Sequence, residues 1–332
     1  MTSISRKLST PDSTDTPLSI KLASAPATDT TNVLAQFAFG GHSPGSIAHN
    51  GLTPLAGGPV YEIWRASGTS VNGHEHGVDW RAIGPLLFGS ITMAMGKDAE
   101  VATRLLYQHI LDCKLARKFP HLIRIWNFMP NINYGEGDSE CYKRFCSGRA
   151  QVFDDRADEL SQVPAATAIG RRGDGGDNEN LTIHFLAARE PGRRIENPRQ
   201  ISAPSYPRRY GPNSPQFARA TAWPGITSAA SLLLVSGTAS IVGHESQHRG
   251  DLGRQLAETW NNLEQLRASA DADQLRSMRV YIRQQADYSQ VRAFVSDRVA
   301  PHVPVLYLHA DICRAELLLE IEAVYTIPAH KP

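Results

Sequence analysis

Close to its end the chain reads Leu317-Leu-Leu-Glu-Ile-Glu-Ala-Val-Tyr325. Every second position in this stretch is apolar, at Leu317, Leu319, Ile321 and Ala323. A period of two is typical of a β-strand, because successive side chains on a strand point to opposite faces. Leu319 and Ile321 therefore share one face of the predicted strand. Glu320 and Glu322 share the other face, which predicts two carboxylates side by side.

The face that carries the two carboxylates is otherwise apolar, because Leu318 and Val324 flank them. Burial among apolar neighbours would raise the pKa of Glu320 above its usual value of about 4.3. A carboxylic acid that keeps its proton near neutral pH can donate this proton to a substrate. The alternative is that both glutamates face water, as most strand glutamates do.

Length and charge restrict the class of protein. With 332 residues the chain is long enough for two domains or one large domain. A formal net charge of +1 gives no electrostatic basis for general binding to nucleic acid or to an anionic membrane. No apolar run approaches membrane-spanning length, and residues 1–31 lack the apolar core of a signal peptide. We therefore expect a cytoplasmic protein without a nucleic-acid or membrane partner.

The metal-ligating residue types show no spacing that is typical of a metal site. The four cysteines form no Cys-x-x-Cys pair and have no histidine cluster nearby. The pairs His74 with His76 and His244 with His248 each lack a third ligand at a suitable spacing. No Ser-His-Asp pattern and no phosphate-binding glycine loop is present. The sequence therefore predicts neither a metal nor a cofactor.

An approximate repeat divides the chain. A glycine-ended strand at 85–96 precedes a helix at 100–117, and the same pair recurs at 232–243 and 251–268. We predict an α+β fold of two tandem, similar domains, in which mixed β-sheets pack against helices. The predicted divisions are a disordered tail at 1–32, an N-terminal domain at 33–190, a connecting segment at 191–224 and a C-terminal domain at 225–332.

This order of elements resembles the YjgF/Rid fold, which is also chorismate-mutase-like. The second half carries the resemblance, in Val235-Ser-Gly237, Met278-Arg-Val-Tyr281 and Leu319-Glu-Ile-Glu-Ala323. Rid proteins are trimers with sites between subunits, so the resemblance implies a Rid-like trimer or a monomer whose repeats mimic part of that ring. Rid deaminases carry a substrate-binding arginine on the strand before the terminal one, where this chain has Val305.

Three residues of a helix predicted around 140–153 are candidates for binding a carboxylate-bearing substrate: Tyr142, Arg144 and Arg149. Arginine presents two parallel N–H donors, which match the two oxygens of a carboxylate. The alternative is that these side chains form a solvated helix face. The helix is therefore one of two regions that we expect to contact a substrate.

The second region is the connecting segment with the residues before the last strand. Prolines stiffen residues 205–220, which would hold Tyr206, Tyr210 and Arg219 in place as the wall of a ligand site. The alternative is that this segment only packs between the domains. Arg314 is a candidate third anchor for a carboxylate, and Cys313 has no adjacent base. We therefore expect Cys313 to shape a pocket and not to act as a nucleophile.

Taken in order, these motifs resemble the chorismatase family over residues 33–328. The resemblance is carried by Tyr142-Lys-Arg-Phe-Cys-Ser-Gly-Arg-Ala150, Tyr206-Pro-Arg-Arg-Tyr-Gly-Pro212, Phe217-Ala-Arg219, Ser236-Gly-Thr-Ala-Ser240 and Cys313-Arg-Ala-Glu-Leu-Leu-Leu-Glu-Ile-Glu322. In the family the acid that opens the terminal Glu-Ile-Glu is catalytic, which implies this role for Glu320. A cysteine shortly before that acid and a glycine on the inner strand accompany 3-hydroxybenzoate formation. This implies product-steering roles for Cys313 and Gly237.

The resemblance implies chorismate as the substrate and, from overall length and tail, the bifunctional type that forms 3- and 4-hydroxybenzoate for pigment and quinone synthesis. Chorismate has two carboxylates, a ring hydroxyl and an enolpyruvyl ether, which suits two or three arginines and one proton donor. We expect Glu320 to protonate the methylene carbon of the ether, so that pyruvate leaves. The alternatives are hydrolysis to a dihydroxycyclohexadiene-carboxylate, Rid-type imine deamination, and metabolite binding without catalysis.

Overall fold

A computed structural model describes residues 18–41, 48–171, 179–224 and 230–329. Within these ranges the chain forms two seven-stranded mixed sheets, a four-stranded sheet, a two-stranded hairpin and four α-helices, so the α+β prediction is confirmed. The strands are β1 (Leu18–Ala23), β2 (Val33–Phe39), β3 (Ala48–His49), β4 (Thr53–Pro54), β5 (Val60–Ala66), β6 (Val71–Glu75), β7 (Val78–Ile83), β8 (Leu86–Ala94), β9 (His121–Pro130), β10 (Ala165–Arg171), β11 (Asn180–Ala188), β12 (Arg193–Ile195), β13 (Ala220–Pro224), β14 (Ala230–Val235), β15 (Ile241–Val242), β16 (Glu245–Ser246), β17 (Gln274–Ile282), β18 (Val305–His309), β19 (Asp311–Ile312) and β20 (Leu319–Pro328). The helices are α1 (Ala99–Ala116), α2 (Cys141–Asp155), α3 (Leu252–Ser269) and α4 (Tyr288–Ser296).

The two seven-stranded sheets share one plan. In the N-terminal sheet β10, β9, β11 and β8 lie in this order, and β18, β17, β20 and β14 do so in the C-terminal sheet. The first two strands of each series are parallel, and the following neighbours are antiparallel. The repeat that the two glycine-ended strands indicate is therefore a repeat of topology.

Each half also completes the sheet of the other half. The short strand β4 belongs to the first half but pairs with β18, where Leu308 faces Pro54 and His309 faces Thr53. The strand β19 belongs to the second half but pairs with β10, where Ile169 faces Ile312. This exchange covers one edge of each sheet and interlocks the two halves.

The structure differs from the sequence prediction at residues 18–23, which were expected to belong to a disordered tail. These residues form β1, which pairs with β5 along its whole length from Leu18 opposite Ala66 to Ala23 opposite Tyr61. Leu18 and Ile20 are buried and form a period-two apolar pattern that is typical of a strand. This short pattern lies at the end of a stretch rich in Ser, Thr and Pro. Residues 1–17 of the predicted tail lie outside the described residues.

The last strand, β20, is buried on both faces. Leu319 and Ile321 belong to the same hydrophobic core as Leu256 of α3. Glu320 and Glu322 lie on the opposite face and are only 4 % and 5 % exposed. The period-two prediction is confirmed, and the alternative that these carboxylates face water is wrong, because the N-terminal half covers their face of the strand.

Four charged side chains meet where the three larger sheets pack together, and we call them the buried ion cluster: Glu62 on β5, Arg124 on β9, Arg279 on β17 and Glu322 on β20. Arg279 Nε and Nη2 donate to the two oxygens of Glu62 at 2.8 and 2.7 Å, and Nη1 donates to Glu322 Oε1 at 3.0 Å. Arg124 Nη2 donates to Glu322 Oε2 at 2.6 Å. All four side chains are buried, so each charge depends on its partners.

Replacing Arg279 by Met tests the buried ion cluster, because it leaves Glu62 and Glu322 without their shared cation. We expect the free energy of unfolding to fall by about 3–5 kcal/mol, measured by urea denaturation followed by circular dichroism. Arg276→Met is the matched control on the same strand, since Arg276 is half-buried and bonds only weakly to Gln274 at 3.4 Å. Equal unfolding midpoints for the two variants would contradict a stabilising role of the cluster.

Candidate active site

A cavity of about 300 Å³ lies between the two halves beside Glu320, and a small extension of about 30 Å³ adjoins it. Nine of the ten candidate residues from the sequence line these spaces. The cavity is lined by Glu320, Cys313, Gly237, Tyr142, Tyr206, Tyr210, Arg219 and Arg314, and the extension is lined by Arg149. A larger groove of about 560 Å³ between β1 and α4 has no acidic residue among its described lining residues, so it offers no proton donor of this kind.

Glu320 is the central titratable group of the cavity. Burial, with a smaller contribution from the Glu322 carboxylate, raises the pKa of Glu320 to about 8. Three arginines act in the opposite direction: Arg124, Arg219 and Arg283. At neutral pH the side chain is therefore mainly a carboxylic acid, which can donate a proton to a molecule in the cavity.

The location of the Glu320 carboxyl depends on a glycine. A Cβ atom on Gly237 would lie 1.8 Å from Glu320 Oε1 and 2.6 Å from the carboxyl carbon, far inside van der Waals contact. The backbone N–H of Gly237 donates to Thr167 Oγ1 at 2.9 Å, which fixes the glycine next to the acid. Any side chain at this position would therefore displace the carboxyl group.

Cys313 and Tyr142 present neutral side chains to the cavity. Burial raises the pKa of the Cys313 thiol far above its usual value, so a thiolate nucleophile is disfavoured. Burial also raises the pKa of the Tyr142 phenol well above its usual value. The Tyr142 ring stacks on Phe145 with 6.1 Å between the ring centroids. These two residues shape the cavity around Glu320 without adding charge to it.

Arg149 brings a buried cation to the extension. It is 1 % exposed, and its guanidinium lies 4.9 Å from the centroid of the Phe145 ring. Among the described residues, its Nε and Nη2 atoms have no hydrogen-bond partner. A buried guanidinium with unused donors is costly unless a ligand or water pairs with it. These donors therefore indicate a place for an anionic group.

Arg219 and Arg314 form another part of the wall, together with the two tyrosines of the connecting segment. The guanidinium of Arg314 lies 4.1 Å from the Tyr210 ring centroid, and that of Arg219 lies 5.4 Å from the Tyr206 centroid. Arg219 Nη2 also donates to the Tyr206 hydroxyl at 2.6 Å, whereas its Nε has no partner within the described part of the chain. The segment therefore lines the cavity and packs between the halves at the same time.

Arg144 is the one candidate that the structure places outside the cavity. Its Nη2 donates to both oxygens of Asp98 at 2.9 Å, and its Nη1 lies 2.7 Å from Glu100 Oε2. Arg144 and Arg149 are five positions apart in α2, which places them about 140° apart around the helix axis. Only one of them can face the cavity, so we remove Arg144 from the candidate substrate-binding residues.

Sequence reasoning missed several residues of the site, among them Asn133 and Thr167. Thr167 Oγ1 donates to Glu322 Oε2 at 2.7 Å across 155 positions of the chain. Asn133 Oδ1 accepts from Arg283 at 3.3 Å across 150 positions. No local spacing marks either residue, because each acquires its role through partners that only the fold brings close.

Within the ranges that the structure describes, no group of three or more His, Cys, Asp or Glu side chains could hold a metal ion. The histidine pairs considered above have other partners: His74 bonds Asp79 at 2.8 Å, and His248 lies 3.6 Å from Glu258. None of the described helices combines the length and the apolar character of a membrane span.

Comparison with known proteins places this chain in a family. The family model described as "Chorismatase FkbO/Hyg5-like, N-terminal" matches residues 62–187. A 3-hydroxybenzoate synthase of Streptomyces hygroscopicus is 34% identical over 298 residues, which cover 85% of this chain and 86% of that protein. A chorismatase of Streptomyces rapamycinicus is 37% identical over 282 residues, which cover 79% and 81% of the two chains. A chorismatase crystal structure is 30% identical and superposes with a TM-score of 0.77, covering 93% of this chain and 98% of the other. The chain therefore belongs to the chorismatase family.

Proposed function

We propose that the chain cleaves chorismate to 3-hydroxybenzoate and pyruvate, with Glu320 as the general acid. One observation supports the choice of the acid above all: a carboxyl group with a pKa of about 8 lies in a cavity that arginine side chains line. Membership of a family whose members are named chorismatase and 3-hydroxybenzoate synthase supports the substrate and the product. Val305, which takes the place of the Rid arginine, lines the separate groove and not this cavity, which argues against imine deamination.

The reaction begins with a proton transfer to carbon. Glu320 donates its proton to the terminal methylene carbon of the enolpyruvyl ether, and an oxocarbenium ion forms at the ether carbon. A ring hydroxyl or a water molecule attacks that carbon, and breakdown of the adduct releases pyruvate. After attack by the ring hydroxyl, cleavage of one ring C–O bond with loss of a ring proton releases pyruvate and makes the product aromatic, and the proton returns to the acid. After attack by water, pyruvate and the dihydroxycyclohexadiene-carboxylate form, and that product becomes aromatic only by loss of water. When no water is consumed, 3-hydroxybenzoate and pyruvic acid together account for every atom of chorismic acid.

Arginines at two places in the cavity hold the two carboxylates of the substrate. Arg149 offers unused donors in the extension, while Arg219 and Arg314 lie beside the tyrosines of the connecting segment. Fixing both ends of the molecule holds its methylene carbon near Glu320. General acid catalysis contributes about 10² to 10⁴ in rate, so positioning by these arginines must supply much of the remainder.

Gly237 and Cys313 steer the product. Both lie against Glu320 in the same wall, and the glycine leaves the space that the carboxyl group occupies. The orientation of the acid relative to the ring hydroxyl and to water then depends on these two small residues. The balance between 3-hydroxybenzoate, 4-hydroxybenzoate and the hydrolysis product follows from that orientation.

We further infer that the enzyme acts as a monomer in the cytoplasm. The cavity is lined by α2, the connecting segment and residues 313–316 before β20, which all belong to one chain. A site of the kind that lies between subunits in Rid proteins is therefore complete here without a partner copy. All four cysteines are free, which is typical of a reducing compartment.

Glu320→Gln tests the proposed acid. We expect pyruvate release from chorismate to fall by about 10² to 10⁴ fold, because the amide has no proton of suitable acidity to give. Pyruvate is measured through lactate dehydrogenase, and the aromatic products are separated by chromatography. Glu264→Gln is the control, since Glu264 pairs with Arg267 on the surface of α3. Turnover of E320Q close to that of the control would rule out the proposed acid.

Arg149→Met and Arg144→Met form a matched pair on one helix. We expect Arg149→Met to lower kcat/KM for chorismate by about 10- to 100-fold, because a charge-assisted hydrogen bond to a carboxylate is lost. Arg144→Met should leave kcat/KM unchanged, since its partners are Asp98 and Glu100 outside the cavity. Equal losses in the two variants would contradict the assignment of Arg149 to the substrate.

Cys313→Ala and Gly237→Ala test product steering. We expect Cys313→Ala to change the fraction of 3-hydroxybenzoate more than the rate of pyruvate release. Gly237→Ala should change both, because its methyl group displaces the Glu320 carboxyl. Gly58→Ala is the control, since a Cβ there meets no atom within 4 Å. An unchanged product composition in both cavity variants, measured by chromatography, would refute the steering roles.

A further inference from the structure

Glu322 takes no part in the reaction as described, yet it is the most heavily bonded carboxylate of the buried ion cluster. Its Oε2 accepts from Arg124 Nη2 at 2.6 Å and from Thr167 Oγ1 at 2.7 Å. Its Oε1 accepts from Arg279 Nη1 at 3.0 Å and from Trp126 Nε1 at 3.1 Å. Four donors, two of them guanidinium groups, match the acceptor capacity of an ionised carboxylate and leave no place for a proton.

Glu320 is two positions away on the same face of the same strand, but its surroundings are different. In the described ranges no hydrogen bond to its carboxyl group is formed, and the space beside it is kept by the missing side chain of Gly237. Two carboxylates on one buried strand face interact strongly, because little water screens them. When one of the two is fixed as an anion, the pair has its lowest free energy with the proton on the other.

We propose that Glu322 is a positioning residue for the reaction: held as an anion by Arg124 and Arg279, it keeps the transferable proton on Glu320. This inference rests on the proposed role of Glu320 as the acid. It assigns a catalytic purpose to the Glu322 carboxylate, in addition to the part that this carboxylate takes in the stability of the fold. Thr167 links Glu322 to the glycine beside Glu320, since its hydroxyl donates to Glu322 and accepts from the N–H of Gly237.

The other charged and titratable groups around Glu320 set the direction of the effect. Glu322 raises the pKa of Glu320, while Arg124, Arg219 and Arg283 lower it. The remaining charged and titratable groups line the cavity or its extension, or face the acid across the strands. They are Glu140, Tyr142, Lys143 and Arg149 at and in α2, Tyr206, Arg209 and Tyr210 of the connecting segment, Tyr281 of β17, and Cys313, Arg314 and Glu316 before β20. A general acid works while it is protonated, so activity is present below the pKa of Glu320 and is lost as the pH rises through it.

The experiment compares the pH profiles of kcat/KM for pyruvate release in four proteins. In the wild type, activity should fall as the pH rises through about 8. In Glu322→Gln the fall should occur at least about one pH unit lower, because the neighbouring negative charge is gone. Below this fall the rate should recover toward that of the wild type, which a merely structural defect would not allow. Glu322→Asp keeps the charge and should restore the wild-type profile.

Glu62→Gln is the matched control within the buried ion cluster. Glu62 shares Arg279 with Glu322, but its other bond is from Trp64 Nε1 at 2.5 Å, and it is not among the main contributors to the pKa shift of Glu320. The activity of Glu62→Gln should therefore fall at the same pH as that of the wild type. The proposal would be overturned if the pH profiles of Glu322→Gln and the wild type coincided. It would also be overturned if Glu62→Gln moved the fall in activity as far as Glu322→Gln does.

A readout that needs no turnover separates this inference from the proposed function. The protonated carboxyl group of Glu320 is followed by infrared spectroscopy, as the band that is lost in Glu320→Gln. That band should disappear at lower pH in Glu322→Gln than in the wild type, even if chorismate is not cleaved. If Glu322→Gln does not fold, the wild type and Glu320→Gln decide. A protonated carboxyl band at pH 7 that is unchanged by Glu320→Gln would place the proton elsewhere and overturn the proposal.

Discussion

Four charges that must be balanced away from water link the three larger sheets of this chain. Arg279 of the C-terminal sheet binds Glu62 of the four-stranded sheet and Glu322 of the last strand, and Arg124 of the N-terminal sheet binds Glu322 as well. Removal of one partner from a buried ion pair costs about 3–5 kcal/mol, because it leaves an uncompensated charge away from water. These side chains therefore constrain how the sheets are placed relative to one another. That placement determines the shape of the cavity between the halves.

Glu320 and Glu322 are chemically identical side chains that lie in different surroundings. Glu322 receives four hydrogen bonds, while Glu320 borders a cavity next to a glycine. One strand thus presents an anion and an acid to the same buried face. Two buried arginines differ in the same way. Arg124 binds Glu322 outside the cavity lining, whereas Arg149 lines the extension and keeps donors without a partner in the described structure. The arrangement matches the proposed reaction, in which cations hold a dicarboxylate while a neutral acid protonates it.

The sequence allowed a sound prediction of the last strand, because the period of two in Leu319, Ile321 and their neighbours is local. It also predicted a raised pKa for Glu320, although burial among apolar neighbours is only part of the reason. The neighbouring Glu322 adds to the effect, and its own partners come from strands that are distant in the chain. Arg144 and Arg149 could not be told apart, since tertiary packing decides which side of a helix faces a cavity. The strand β1 was missed because its partner, β5, begins only at Val60 and the surrounding composition is polar.

The exchange of edge strands has a consequence for how the chain is made. The edge of the N-terminal sheet at β10 is completed by Asp311 and Ile312, which are translated long after β10 itself. Until then the nascent first half carries an unpaired strand edge, which is a known template for wrong association. Native pairing at this edge therefore needs residues of the second half, so the first half completes its sheet only when the second half is present.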